Sequence, residues 1–285
     1  MTMSVNFDLS FPIYAQQAYA NPREANGRIV CANCHLAAKP VEVETVQAVF
    51  PDSSFAVKVT VPYPQNAEQL LGDGSKGPVG VGAVVILPEG FKLAPADRTP
   101  KDARFSNSVI PYGPEADNIL VVGPVYGEAN RELYFPVVSP SDDALGQKYT
   151  IYVGANRGRG QVNPNGDKTN NNLVTAPANG EITDVQRKPN GECVISLKTG
   201  SGDTLTQKVP RGIDLAVSKG QLVKVDQPLT LDPNIGGFGQ SEAGIVLQKK
   251  NRLVGLFIFC VGITLAQIFL VLKKKQYERV QLWSM

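Results

Sequence analysis

Phe55-Ala-Val-Lys-Val-Thr-Val61 alternates apolar and polar side chains with a period of two, the pattern of a β-strand with one buried face and one wet face. Outward from it, Val79–Leu87 (VGVGAVVIL), Asn118–Val122 (NILVV), Leu133–Val138 and Lys148–Val153 (KYTIYV) also alternate or run apolar, and Gly or Pro bounds them. The chain carries 27 Gly and 21 Pro in 285 residues, above the usual share, which favours many short strands over long helices. Sheets separated by Pro-rich turns predict a mainly β chain built as a sandwich. Ala15–His35 is the best candidate for helix before the last forty residues.

Composition shifts at Asn163–Pro177, which is polar, and a second strand-rich stretch follows from Gly180 to Leu229. Its Val217-Ser-Lys-Gly-Gln-Leu-Val223 and Gln227-Pro-Leu229 look like lipoyl or biotinyl carrier domains. The modifiable lysine at a hairpin tip is missing, so the reading is a carrier-like sandwich without carrier function. Asp232–Gln240 (DPNIGGFGQ) reads as loop and GIVLQ as a strand. Leu253–Leu272 then gives twenty residues without a charge, enough helix to cross a bilayer. Lys249, Lys250 and Arg252 precede this segment; Lys273, Lys274, Lys275 and Arg279 follow it, which leans the C-terminus towards the cytoplasm or stroma.

Charge narrows the function. Twenty-eight Lys and Arg against 26 Asp and Glu leave a net charge of +2, which argues against a nucleic-acid partner. The single histidine, His35, excludes any site with two His ligands and any triad that does not use it. Four cysteines are too few for a disulfide scaffold; Cys193 and Cys260 sit in apolar runs and read as packing residues.

Cys31-Ala-Asn-Cys-His35 is the c-type haem attachment motif. Two thiols three residues apart add to the two haem vinyl groups, and the next imidazole reaches the iron from one face. A redox pair would need a thioredoxin-like βαβ pattern, and a zinc site would want a fourth ligand. With the histidine used, the other iron ligand is open. The methionines are Met1, Met3 and Met285, so the His/Met pair of small cytochromes c would draw on the N-terminal tail. A lysine, a tyrosine, an N-terminal amine or an open position are the other choices.

Longer stretches now carry a resemblance. Phe11-Pro-Ile-Tyr-Ala-Gln-Gln17 and Asn21-Pro-Arg-Glu-Ala-Asn-Gly-Arg-Ile-Val-Cys-Ala-Asn-Cys-His-Leu-Ala37 closely resemble the start of mature cytochrome f. So do Val85–Phe91 (VILPEGF), Gly154–Gln161 (GANRGRGQ), Asn234–Gln240 (NIGGFGQ) and Leu272–Gln276 (LKKKQ), with one shortened region near Asp97–Pro111. The resemblance implies a large β-sandwich haem domain at 11–174 and 232–250. It also implies a small inserted β domain at 175–231, one transmembrane helix at 251–274, and a stromal or cytoplasmic tail at 275–285. It implies one covalent c-type haem on Cys31 and Cys34 with His35 on the iron, and Pro12 and Tyr14 beside it. The function it implies is electron transfer, not bond-making catalysis. Electrons would come from the Rieske iron–sulfur protein and go to plastocyanin or a soluble c-type cytochrome. The setting would be a thylakoid complex with cytochrome b6, with the large soluble part in the lumen.

The family's internal water chain falls on Gln69, Asn156, Gln161 and Asn171, with a fifth amide near Asn234; from the residues alone, Asn156 and Gln161 read as turn caps in a Gly-rich loop. Its basic docking ridge falls on Lys76, Arg187, Lys188 and Arg211, while Glu68 and Ser75 stand where plants usually carry lysine, a diminished patch. In the family the sixth iron ligand is the α-amine of the processed N-terminal residue, usually tyrosine. Phe11 takes that place here, and its nitrogen is an amine only if residues 1–10 are removed. Met1–Ser10 lacks a basic and an apolar region and is not a secretory signal, so it reads as a leader remnant or an extension. Two rivals remain at this stage: a haem enzyme with an open iron, and a membrane-held scaffold without haem.

Overall fold

The computed structural model describes residues 12–99, 108–127, 131–141 and 147–284. Its elements begin with a short helix α1 (Pro12–Ala18) and a 3₁₀ turn at Val30–Asn33. Strands β1 (Glu42–Thr45), β2 (Ala48–Val49), β3 (Ser54–Thr60), β4 (Glu68–Leu70), β5 (Lys76–Pro78) and β6 (Gly80–Ile86) follow. Next come β7 (Lys92–Leu93), β8 (Ile110–Gly113), β9 (Ala116–Tyr126), β10 (Glu132–Val138) and β11 (Lys148–Arg157). The chain continues through β12 (Gly180–Arg187), β13 (Cys193–Thr199), β14 (Thr204–Val209), β15 (Leu222–Val223) and β16 (Gly237–Leu247), and ends in helix α2 (Lys250–Trp283).

Two sheets face each other, one ordered β1-β3-β10-β7 and the other β2-β16-β11-β6-β9-β8. The alternation read in 55–61 is what joins them. Phe55, Val57, Val59 and Val61 of the first sheet and its edge meet Val81, Ala83, Val85, Leu120, Ile151, Val153 and Ile245 of the second in one buried cluster. Burial of this kind is the main force holding the sheets together. The opposite face of the six-stranded sheet carries the alternate residues. Val84, Ile119, Val121 and Phe238 form a second cluster there with Ile29 and Tyr112, and Cys31 packs against it. The N-terminal segment therefore lies on the outer face of the larger sheet.

A separate four-stranded sheet, β14-β13-β12-β15, closes over its own core of Ala176, Ile182, Cys193, Ile195, Leu197, Val209, Val223 and Leu229. Cys193 is the packing residue its apolar surroundings suggested. Helix α2 runs for 34 residues with none buried, about 50 Å at 1.5 Å per residue. It is long and apolar enough to span a bilayer, and it continues without a break through the segment read as a tail.

Three expectations change. Helix in 15–35 is limited to α1 and the 3₁₀ turn, because Asn21-Pro22 and Gly27 turn the chain and Arg23 bridges Ile29 instead. The strand read at 148–153 extends to Arg157, so Asn156 lies on a strand and is not a turn cap. The loop read at 232–240 becomes strand from Gly237. There the residues after the haem motif run alongside, with Lys39 N–H bonding to the Phe238 carbonyl and Phe238 N–H to that of Ala37. A Cβ on Gly237 or Gly239 would overlap this neighbour, at 2.5 Å from the Ala37 oxygen and 2.0 Å from that of Lys39.

Candidate haem-binding site

The attachment motif sits in a tight turn. Ala32 N–H bonds to the Ile29 carbonyl at 3.1 Å, and Cys34 and His35 N–H bond to the Cys31 carbonyl at 3.2 and 3.0 Å. This winding puts Cys31, Cys34 and His35 on one wall of a cleft of about 260 Å³. Pro12, Tyr14, Ala15, Ala18 and Tyr19 line the cleft from α1, Val162 and Pro164 from the loop after β11, and Asn156 from β11 itself. Neither cysteine is in a disulfide. Burial pushes the Cys31 thiol up to about 12, opposed by a backbone hydrogen bond and assisted by nearby Cys34. Burial raises Cys34 as well.

His35 is 5% exposed, and its Nε2 lies 3.0 Å from the Asn156 amide nitrogen. An amide N–H donates to Nε2 only when the ring proton sits on Nδ1. Nε2 carries one lone pair, so a metal bound there would take the place of the Asn156 contact. An apolar cleft lined by two cysteines and an imidazole fits a c-type haem in polarity and donor set.

Glutamine side chains hold both ends of the motif. Gln161 Oε1 accepts from Leu36 N–H at 2.9 Å, while Gln161 N–H bonds back to the Cys34 carbonyl at 2.7 Å. Gln240 Oε1 accepts from Ile29 N–H at 3.1 Å, and its Nε2 donates to the Gly27 carbonyl at 3.0 Å. Gln240 was not singled out from sequence; the quoted NIGGFGQ stretch contained it, but nothing local told that it faces residue 29.

The expected amides divide into two groups. Gln161, Asn171 and Asn234 connect: Gln161 Nε2 reaches the Asn171 carbonyl at 3.4 Å, and Asn171 Nδ2 reaches Asn234 Oδ1 at 3.2 Å. Gln69 is apart from them. Its Nε2 donates to the Pro78 carbonyl at 2.8 Å, and it shares a second cavity of about 40 Å³ with Asn156, Gly158 and Arg159. A space of that size, with the Gln69 and Asn156 amides and Arg159 in its lining, admits a water molecule.

The four basic residues gather around one junction. Lys76 lies on β5, Arg187 ends β12, and Lys188 lies 3.9 Å from Glu192 across the β12–β13 turn. Arg211 packs its stem between Gly74 of the β4–β5 turn and Gly191 of the β12–β13 turn. The neighbouring Asp73 carboxyl is held below its ordinary range by hydrogen bonds from Ser75, then by Arg211. Phe11, and the whole of Met1–Ser10, lie outside the described residues.

Comparison with known proteins agrees with this site. The family model for the N-terminal part of apocytochrome f matches residues 11–158, and the model for its C-terminal part matches 170–285. The chain is 53% identical over 283 residues to cytochrome f of Guillardia theta, covering 97% of this chain and 88% of that one. It is 52% identical over 284 residues to cytochrome f of Pyropia yezoensis, with the same coverage. It is 52% identical over 283 residues to that of Rhodomonas salina, covering 97% and 89%.

Proposed function

The chain belongs to the cytochrome f family, and from that membership we propose that it passes single electrons from the Rieske iron–sulfur protein to plastocyanin or a soluble c-type cytochrome. A role in photosynthetic electron transport, a c-type haem and a place in the cytochrome b6f complex follow from the family itself. The proposal adds the partners, cytochrome b6 among them, and the residues. The single observation that carries it is the cleft with Cys31, Cys34 and His35 on one wall. Cys31 and Cys34 would hold the haem through thioethers, and His35 Nε2 would bind its iron. When bound, the haem supplies a centre that gains and loses one electron with no bond made or broken in a substrate. The chain's own task is to hold that centre still, screen it from water and present its edge.

Pro12 and Tyr14 line the cleft, and the N-terminal family match begins at Phe11. These observations support the α-amine of Phe11 as the second ligand in a chain processed at that residue. Gln69, Asn156, Gln161 and Asn171 hold ordered water between the haem and the surface, since each amide both donates and accepts. Lys76, Arg187, Lys188 and Arg211 steer the acceptor. The residues before α2 face the lumen, and Lys273–Lys275 and the following turn lie on the stromal or cytoplasmic side. The deciding experiment is a reduced and an oxidised visible spectrum, followed by acid–acetone extraction and N-terminal sequencing. Low-spin haem that stays with the polypeptide, on a chain starting at Phe11, is the expected result. Extractable haem removes the thioether assignment, and an intact Met1 with six-coordinate iron removes the Phe11 ligand.

A further inference from the structure

Helix α1 forms one wall of the cleft, yet little in its own sequence holds it there. It is seven residues long, and none of them is buried. A helix of this length is unstable alone, and Ile13, its largest aliphatic side chain, is 51% exposed. Tyr112 bonds it through both its hydroxyl and its carbonyl. The Tyr112 hydroxyl lies 2.7 Å from the Ala15 carbonyl and 2.8 Å from the Tyr19 carbonyl. The Tyr112 carbonyl in turn accepts from Gln16 Nε2 at 2.8 Å. The hydroxyl shares its one proton between two carbonyls at the C-terminal end of the helix, of which that of Ala15 also accepts Tyr19 N–H at 2.9 Å. Tyr112 itself is 5% exposed and packs in the cluster with Ile29, Val84 and Phe238. That cluster also underlies the attachment motif.

The backbone explains how the side chain reaches α1. Strand β8 pairs with β9 at the sheet edge, and the register slips between Pro111 and Gly113, at Tyr112. A bulge turns the strand locally and re-aims the side chain there. We propose that Tyr112, through its hydroxyl and its bulged position, is the positioning residue that sets α1 against the haem cleft. The iron's environment on that side thus depends on a residue about a hundred positions away in the chain. This inference rests on the haem reading above.

The test is Tyr112→Phe in the full-length protein, which removes one oxygen and leaves the packed ring. In the haem-free chain, amide exchange at Tyr19, whose N–H bonds to the Ala15 carbonyl, should quicken about tenfold, while Val57 and Val59 in the central core keep their rates. In the haem-loaded chain, the reduction potential should shift, and added cyanide should bind the ferric iron faster. Gln16→Leu, which spares the ring, should reproduce both effects more weakly, and it serves if Tyr112→Phe does not fold. Unchanged Tyr19 exchange overturns the proposal. So does faster exchange with unchanged potential and cyanide binding, because Tyr112 would then only brace the fold. A wild-type chain without covalent haem would instead defeat the reading on which the inference stands.

Discussion

Replacing Gly212 by Ala tests whether the small β unit is fixed against the haem-bearing sandwich. Gly212 has φ +86°, where an L side chain costs about 1–2 kcal/mol. A Cβ there would also stand 2.1 Å from the Gly74 oxygen, and 2.8 Å from both the Gly74 carbonyl carbon and Leu70 Cδ1. Those atoms are backbone and packed core, so the contact must open, at a further cost of about 1–3 kcal/mol. Gly202 supplies the control. Its φ is +92°, and nothing lies within 4 Å of its added Cβ, so Gly202→Ala carries the backbone strain alone. Urea denaturation of the full chain in detergent, followed by circular dichroism, should place Gly212→Ala below Gly202→Ala by the clash alone. Opening the contact also separates the turn that carries Lys76 from Arg211. Electron transfer to the acceptor at low salt should therefore slow in Gly212→Ala although no charge has been removed. Equal stability and equal rates for the two variants would refute the idea that this glycine contact fixes the docking surface.

Neutralising Lys76, Arg187, Lys188 and Arg211 together should slow the low-salt reaction and matter little once screening shortens the range of charge to about 8–10 Å; stopped-flow rates against ionic strength measure this, and an unchanged low-salt rate places docking elsewhere. Gln240→Leu removes both amide bonds to the loop before Cys31, each worth about 0.5–1.5 kcal/mol or less at this exposed site; hydrogen exchange at Ile29 should rise, and wild-type protection would deny the clamp. Burial pushes the Tyr112 hydroxyl up to about 12, with Cys31 and Tyr19 adding to the effect. A group raised in the folded state stabilises fully below its unfolded pKa of about 10 and loses that contribution as pH climbs to about 12. Melting temperatures across that window should fall more steeply for wild type than for Tyr112→Phe, and parallel curves would refute the assignment.

How far the sequence reaches depends on the range of the interaction. The alternation in 55–61 is local, since each side chain faces the core or solvent according to its parity, and it appears unchanged as β3. The uncharged run at 253–272 is likewise a local property, and so is the spacing of Cys31, Cys34 and His35. Asn156 is different. Its arrival at His35 depends on the register that sets β11 between β6 and β16, with Asn156 opposite Gly82 and Phe238. Nothing in GANRGRGQ encodes that register, and a Gly-rich stretch reads as loop when its pairing partners are unseen. The same reason hid the strand at 237–240, where glycine is required by the nearby segment 37–39 and not by a turn.

The site combines these two kinds of information unequally. Cys31, Cys34 and His35, the donors proposed for the haem, lie within five consecutive residues, so a short motif reveals them. The groups that shape the site around them come from far along the chain: Asn156 and Gln161 from the end of β11 and beyond, Gln240 from β16, and Tyr112, which holds α1, from a bulged edge strand. A flexible loop carrying two thiols and an imidazole could bind haem in many orientations. Fixing one orientation requires removing conformational freedom from the loop, at about 1–2 kcal/mol per residue ordered. Hydrogen bonds at residues 27 and 29 from Gln240 on the larger sheet and at residue 36 from Gln161 just beyond it, together with the burial of Ile29 and His35, offset that cost. The large sheet thus acts as the template for the site, and the attachment motif supplies its chemistry.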